Sequence, residues 1–251
     1  MSRANVKDKR KAQLIAAALD SIAKRGLMET TITHISKGAG MSRGIINFYF
    51  TSKEMMLRET LKTLIDEYEA EWLEALNKAG YDGRVRLTAL VVAHFGKKLC
   101  SARRLNVMSA FWGHAATQAA YRNQLEAADQ KIEHAFTESL AHTLGASLEE
   151  AKHAATQLHA LIRGLWLNFM LNPQDTSRET LAAECLSFID RLTGAPVRIV
   201  ANNSDSAANV DKPTLVKPAK KTKAKAEPQQ MDIEDLFAPA RQSYAPPPRQ
   251  S

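Results

Sequence analysis

The feature that most narrows the fold of this chain is a break. Gly38, Ala39 and Gly40 interrupt a helical pattern only two turns after it starts. Thr30 or Thr31 offers a hydroxyl to cap the free N–H groups of that short helix, and Ile32 and Ile35 share its inward face. Ser42 can cap a second short helix, in which Ile46 and Phe50 form an apolar i, i+4 pair. Small Ser36, Gly40 four residues on and apolar Ile46 six beyond are what two helices crossing closely through a tight turn require. The crossing admits little bulk, and the turn needs a residue that tolerates positive φ. A preceding helix, carrying Leu14, Ile15, Ala18, Leu19 and Ile22 at helical spacing, is expected to end at Gly26. The three together read as a helix-turn-helix unit.

If Ile46 and Phe50 face inward, Arg43 and Asn47 lie one turn apart on the open face of the last helix. Arg43 has the paired donors that suit guanine O6 and N7, Asn47 has amide chemistry suited to adenine, and Ile45 suits a thymine methyl. Gly44 allows close approach. Thr31, Thr33, Ser42, Tyr49 and Lys53 are phosphate candidates, being hydroxyls and an ammonium near helix N-termini. Phe48 stays open between partial burial and a groove contact. Charge agrees with this reading, since residues 1–63 hold 12 Lys+Arg against 5 Asp+Glu, whereas 64–194 hold 13 against 16. A basic unit joined to a mildly acidic one fits a phosphate-seeking module. The alternatives are a structural helical hairpin and a solvated basic helix face.

The stretch TTITHISKGAGMSRGIINFYFTSKEMML, residues 30–57, resembles the DNA-binding signature of the TetR family of bacterial transcriptional repressors. The resemblance spans about residues 10–60. It implies an all-α dimer whose recognition helices enter successive major grooves of a double-stranded, palindromic operator, with half-sites ~34–36 Å apart. It also puts Thr31, Ser42, Arg43, Gly44, Asn47, Tyr49 and Lys53 where the family contacts DNA. His34 departs from a commonly acidic position and Asn47 from one that is often Tyr.

A long helix is expected from the cap Ser52 to about Lys78, roughly 40 Å at 1.5 Å per residue. The domain plan is therefore a helix-turn-helix domain at 1–51, a helical regulatory and dimerisation domain at 52–194, and a tail at 195–251. In the second domain Ser147 and Glu150 form a capping box, and Ala151, Ala154, Ala155, Leu158, Leu161, Ile162 and Leu165 make a small-then-large apolar stripe. With the helix from about Asn123 to Leu144 this suits a two-fold four-helix interface, so Ala154, Leu158, Leu161 and Leu165 are the dimer candidates. Packing within one subunit is the rival. Phe111, Trp112, Tyr121, Trp166 and Phe169 are candidates to line a ligand pocket, with ordinary core aromatics as the alternative.

MSAFWGHAATQAAYRNQL (108–125) and LIRGLWLNFML (161–171) resemble the regulatory domain of the BetI-type branch, repressors of choline-to-betaine genes. That resemblance implies a small-molecule effector, with a choline-like cation held by aromatic faces as one candidate. Arg163 departs from the branch, which commonly has an acidic residue there. An anionic or uncharged ligand is equally arguable from it, and pairing with an acidic neighbour is the remaining reading.

After Gly194 the composition turns to Ala, Pro, Lys, Ser, Asn and Gln, expected to be disordered. KPAKKTKAKAEP (217–228) would add salt-sensitive phosphate attraction, and Met231, Ile233, Leu236 and Phe237 suggest a docking motif for a protein partner, 231–237. An inert tail is the alternative. No HExxH, P-loop, GxGxxG or GxSxG occurs, so neither an enzyme, a cofactor nor a metal is expected. The N-terminus lacks an apolar signal core and the longest apolar run, 87–93, is far short of a span, which implies a cytoplasmic, nucleoid-associated protein rather than a membrane one. Cys100 and Cys185 suit buried thiols in a reducing compartment. Two rivals to the repressor remain, an architectural DNA-binding protein and an interaction scaffold, both acting through the tail. Footprinting separates them: a sequence-specific footprint that survives deletion of 195–251 is the expected result for the repressor, and loss of binding with the tail marks the architectural reading.

Overall fold

The computed structural model describes residues 3–194, with side chains from Val6 onward. The tail from 195, with its basic run and its 231–237 segment, lies outside the described residues. Those described form nine helices and no strand. α1 (Arg3–Glu29) is broken at Gly26, where φ is 79° and ψ 173°, and the helix resumes for Leu27–Glu29. Thr30 is fully buried below this break; its hydroxyl donates to the Gly26 carbonyl at 2.8 Å and meets the Ser21 hydroxyl at 3.2 Å.

α2 (Ile32–Ala39) is capped by Thr31, whose hydroxyl accepts from the His34 N–H, and ends on Gly40 at φ 62°. α3 (Arg43–Tyr49) is capped by Ser42, which accepts from the Ile45 N–H. α4 (Lys53–Ala79) is capped by Ser52 through the Met55 N–H. At 1.5 Å per residue it runs about 40 Å and carries buried residues along most of its length, from Met56 to Leu76. A helix that long with apolar positions at both ends must belong to two cores.

It does. α5 (Gly83–His94), α6 (Ala102–Ala115), α7 (Ala119–Leu144), α8 (Leu148–Leu171) and α9 (Arg178–Thr193) complete the chain. α7 starts a turn earlier than its apolar pattern suggests, at Ala119. α8 opens with the expected capping box, Ser147 accepting from Glu150 N–H while the Glu150 carboxylate accepts from Ser147 N–H. The C-terminal core gathers Trp72 and Leu76 from α4 with Leu87, Leu90, Phe136, Leu158, Ile162, Trp166 and Ile189. The N-terminal core gathers Leu14, Ala18, Ile22, Ile35, Ile46, Phe50, Met56 and Leu61, and it extends to Val107 and Phe111 of α6 and Tyr121 and Leu125 of α7. Trp112 packs against both cores.

Polar contacts hold α6 to the helices it touches. Arg103 bonds Asp20 of α1, and Arg104 donates to Glu67 at 2.7 Å and to the Leu64 carbonyl at 2.6 Å on α4. Lys11 reaches Glu59 at 2.8 Å, joining α1 to α4. Cys100 and Cys185 are buried, and loss of water pushes their thiols up to about 11 and about 12, so both stay protonated near neutrality.

α5 meets α7 through Gly83, where a Cβ would fall 2.7 Å from Thr143 Oγ1 and 2.8 Å from the Ser139 carbonyl oxygen. Backbone cannot yield to that contact without moving the helix. Gly83→Ala is therefore expected to destabilise the fold by about 1–3 kcal/mol, read as a lower urea midpoint at unchanged slope.

Candidate nucleic-acid interface and buried cavity

The α2–α3 crossing sorts the side chains of α3 by face. Ile46 is fully buried and Phe50, just past the helix end, is 2 % exposed. Arg43, Gly44 and Asn47 are exposed, as are Thr31, Thr33 and Ser42 around the two caps. Ile45 and Tyr49 are half-buried. Lys53 is also half-buried, and its Nζ donates to the Met28 carbonyl at 3.2 Å, which ties the first turn of α4 to the end of α1. Its ammonium therefore helps to hold the unit together and is less freely available than a surface lysine.

Phe48 resolves toward solvent. It is 73 % exposed, edge-on to Tyr49 at 5.2 Å, with Lys7 Nζ 5.7 Å from its ring centroid. That contact brings the basic N-terminal stretch of α1 beside α3, a neighbour that helical periodicity in α1 alone does not announce. Exposed Lys37 on α2 adds a further cation to the same unit. An apolar pair behind and a guanidinium, a carboxamide, an aromatic ring and lysines in front is chemistry suited to a polyanion with readable edges.

The second site is a cavity of about 30 Å3 between α4, α6, α7 and α8. Of the five aromatics expected to line a pocket, it brings Trp112 and Trp166 together, nearly parallel at 6.4 Å and 14°. The other three are elsewhere. Phe111 is fully buried edge-to-face with Tyr121 at 5.2 Å in the N-terminal core, and Phe169 packs in the C-terminal core. The correction follows from helical geometry: neighbours in sequence, such as Phe111 and Trp112, point about 100° apart around α6.

Tyr68 of α4 takes the place of the missing aromatics, 6.1 Å from Trp166 and edge-on to it. Its hydroxyl donates to His94 Nε2 at 2.8 Å, because His94 Nδ1–H is committed to the Leu90 carbonyl at 2.6 Å. Trp166 Nε1–H donates to the His94 carbonyl at 3.0 Å. Trp112 Nε1, by contrast, is buried without a partner. Arg163 resolves to the third reading made of it: its Nη2 donates to Asp129 Oδ1, and its guanidinium lies over the Trp112 ring. Asp129 also faces His159 Nε2 at 4.0 Å, while His159 Nδ1 bonds Glu133 at 3.2 Å. Tyr68, Asp129, His94 and His159 lacked any motif; only their convergence from four helices marks them.

The α8 residues expected at the dimer face divide by burial. Ala154 and Leu158 are buried within the subunit, 8 % and 0 % exposed, and half-buried Leu161 and Leu165 pack on the same core. The face that α8 leaves open runs through Ala160, Gly164, Leu167 and Leu171, one turn apart from each other.

An exposed reading helix on a helical body with an aromatic cavity defines a helix-turn-helix DNA-binding regulator, and comparison with known proteins agrees. Residues 14–60 match the tetR family of bacterial regulatory proteins, and residues 83–194 match the BetI-type transcriptional repressor C-terminal domain. A Burkholderia ambifaria protein named HTH-type transcriptional regulator BetI is 32 % identical over 184 residues, covering 70 % of this chain and 91 % of its own. A transcriptional regulator of Pseudomonas aeruginosa PAO1 has a similar structure, with a TM-score of 0.67 and 26 % identity over 74 % of this chain and 91 % of that one. A regulator of Saccharomonospora viridis, solved in complex with choline, shares the fold at a TM-score of 0.63 and 21 % identity over 73 % and 96 % of the two chains. The chain belongs to the TetR family and carries a BetI-type C-terminal domain. It is a DNA-binding transcriptional regulator of the repressor type.

Burial pushes His94 from an ordinary value of 6.5 to about 4, against a smaller upward pull from its hydrogen bond to Leu90. His159 moves in the same direction, through burial and the nearby Arg163. A group depressed in the folded state gives stability that is complete above its unfolded pKa and lost as pH falls toward the folded one. Unfolding free energy should accordingly drop between pH ~6.5 and ~4, with His94 alone contributing a slope of up to about 1.4 kcal/mol per pH unit. Urea melts across that range check it, and His94→Asn should flatten the slope relative to the parent protein.

Proposed function

We propose that the regulator reads a two-fold operator through α3 and releases it when a small molecule enters the cavity beneath α6. The observation that carries the first half is the sorting of α3, with Ile46 at 0 % exposure and Arg43 and Asn47 free on the opposite side. Arg43 supplies a bidentate contact to guanine and Asn47 a contact to adenine, with Ile45 beside them. Thr31, Thr33, Ser42 and Tyr49 hold phosphates, Gly44 lets the backbone approach, and Lys53 adds its charge from the first turn of α4.

TetR-family regulators act as dimers, and the reading assigns the subunit contact to the open face of α8, with Leu167 and Leu171, at 48 % and 63 % exposure, as its apolar anchors. Small Gly164 and Ala160, one and two turns before Leu167, permit close approach of a symmetry-related helix. Coupling runs through α6. Trp112 touches the cavity and both cores, Phe111 beside it is anchored among α1 to α4, and Arg103 and Arg104 clamp α6 to α1 and α4. A ligand that displaces Trp112 moves the support on which both reading helices stand. The choline bound by the S. viridis regulator supports a small organic ligand in this fold, and the BetI-type domain supports choline and betaine genes as the regulated class.

Arg43→Ala should weaken binding by about 1–3 kcal/mol and relax preference at one operator position, whereas Lys37→Ala should weaken all sequences alike. Selection of binding sites from a randomised duplex pool, followed by titration at two salt concentrations, measures both. Equal losses on every DNA from both variants would contradict the assignment of α3.

A further inference from the structure

Phe48 is a large apolar side chain left in water on the same short helix as Arg43 and Asn47. It is 73 % exposed, and one turn before it stands Gly44, where a Cβ would meet nothing nearer than Ser42 Oγ at 3.8 Å, so no side chain crowds that surface. Over the Phe48 ring lies the ammonium of Lys7, 5.7 Å from its centroid. We propose that the pair reads one thymine of the operator, the Phe48 ring packing on its C5-methyl group while Lys7 bonds a phosphate that flanks it. The inference rests on reading α3 as the helix that enters the DNA groove, and it adds a specificity-determining residue and a backbone contact from α1.

A phenyl ring has no hydrogen bond to offer a base edge, and the apolar group that the major groove presents is the thymine methyl. Packing the two together takes both out of water. Ile45, the other apolar side chain of α3 outside the core, is half-buried, so Phe48 is the freer of the two. Tyr49 stands edge-on to the ring at 5.2 Å and Lys7 lies over it, so the ring has neighbours on the protein side and still keeps most of its surface open.

Lys7 is placed rather than neutralised. One turn along α1, Lys11 gives its charge to Glu59 at 2.8 Å, whereas no carboxylate among the described residues bonds the Lys7 ammonium. A cation held beside an exposed ring, with no acid of its own, suits the anion that accompanies every base. In a B-form duplex a thymine methyl stands at the wall of the major groove beside the backbone of its own strand, so a ring and an ammonium this close together match a methyl and a phosphate of one strand. Lys7 precedes the family-matched residues 14–60, so this contact comes from the part of α1 outside the matched segment.

The full-length protein first selects its operator from a randomised duplex pool, and each thymine of the selected site is then replaced in turn by deoxyuridine, which lacks only the C5-methyl. At one position in each half-site the parent protein should lose about fourfold in affinity, the worth of one buried methyl group, and Phe48→Ala should bind the thymine and deoxyuridine duplexes alike there. Phe48→Leu, which restores apolar bulk, should recover part of the discrimination. A methylphosphonate in place of a phosphate flanking that thymine should weaken the parent protein and leave Lys7→Ala unchanged, and Lys7→Ala should lower the salt slope by about one. Thermal melts establish that each variant is folded. A Phe48→Ala loss of the same size on thymine and deoxyuridine duplexes overturns the proposal, as does an equal response of the parent protein and Lys7→Ala to the methylphosphonate. A selected site whose base preference Arg43→Ala relaxes, but which shows no methyl dependence through Phe48, overturns the proposal and leaves the operator reading standing. A pool that yields no preferred sequence overturns both.

Discussion

Phe111 sits without exposure in a core built mainly by α1 to α4, although it belongs to a helix of the C-terminal domain. Burying a ring of that size is worth several kcal/mol of transfer free energy, so α6 cannot shift without dragging or vacating the N-terminal core. Val107 one turn earlier and Tyr121 and Leu125 on α7 share the same commitment. The reading helix inherits its position from this wedge, since Ile46 and Phe50 rest on the core that Phe111 completes.

The neighbouring residue on α6 faces the other way. Trp112 leaves the N-terminal core at its edge, touches the C-terminal one and forms a wall of the cavity. Adjacent positions of one helix thus place a fully buried anchor and a cavity wall side by side. Around that wall, polar groups come from four helices: Tyr68 from α4, His94 from α5, Asp129 from α7 and His159 and Arg163 from α8. Most are satisfied by one another, through Tyr68 to His94 to Leu90 and through Arg163 to Asp129. The unpaired Trp112 Nε1 is the exception.

Short-range chemistry made much of this legible. The caps at Thr31, Ser42, Ser52 and Ser147 were readable because a hydroxyl before an apolar helical run has few better partners than the free N–H groups beside it. The inward turn of Ile46 follows from its spacing to Phe50 and the small residues opposite. The α8 stripe was legible as apolar but not as to what covers it: Ala154 and Leu158 meet the core of their own subunit, and a pattern of apolar positions carries no mark distinguishing that from a partner. The aromatic candidates divide on the same ground. Phe111, Tyr121 and Phe169 differ from Trp112 and Trp166 only in the direction they leave their helices relative to helices far away in the chain.

Local order along the chain, then, was set by residues within a turn or two of one another: where helices start, where glycine halts them, and which side of α3 is apolar. That is enough to establish a helix-turn-helix and its exposed Arg43 and Asn47, because the interactions responsible have short sequence separations. The cavity, the Arg163–Asp129 pair, the His94–Tyr68 bond and the insertion of Phe111 among α1 to α4 join residues tens of positions apart. Their partners are chosen by how α4 to α8 pack together, through volume and burial that no single segment encodes.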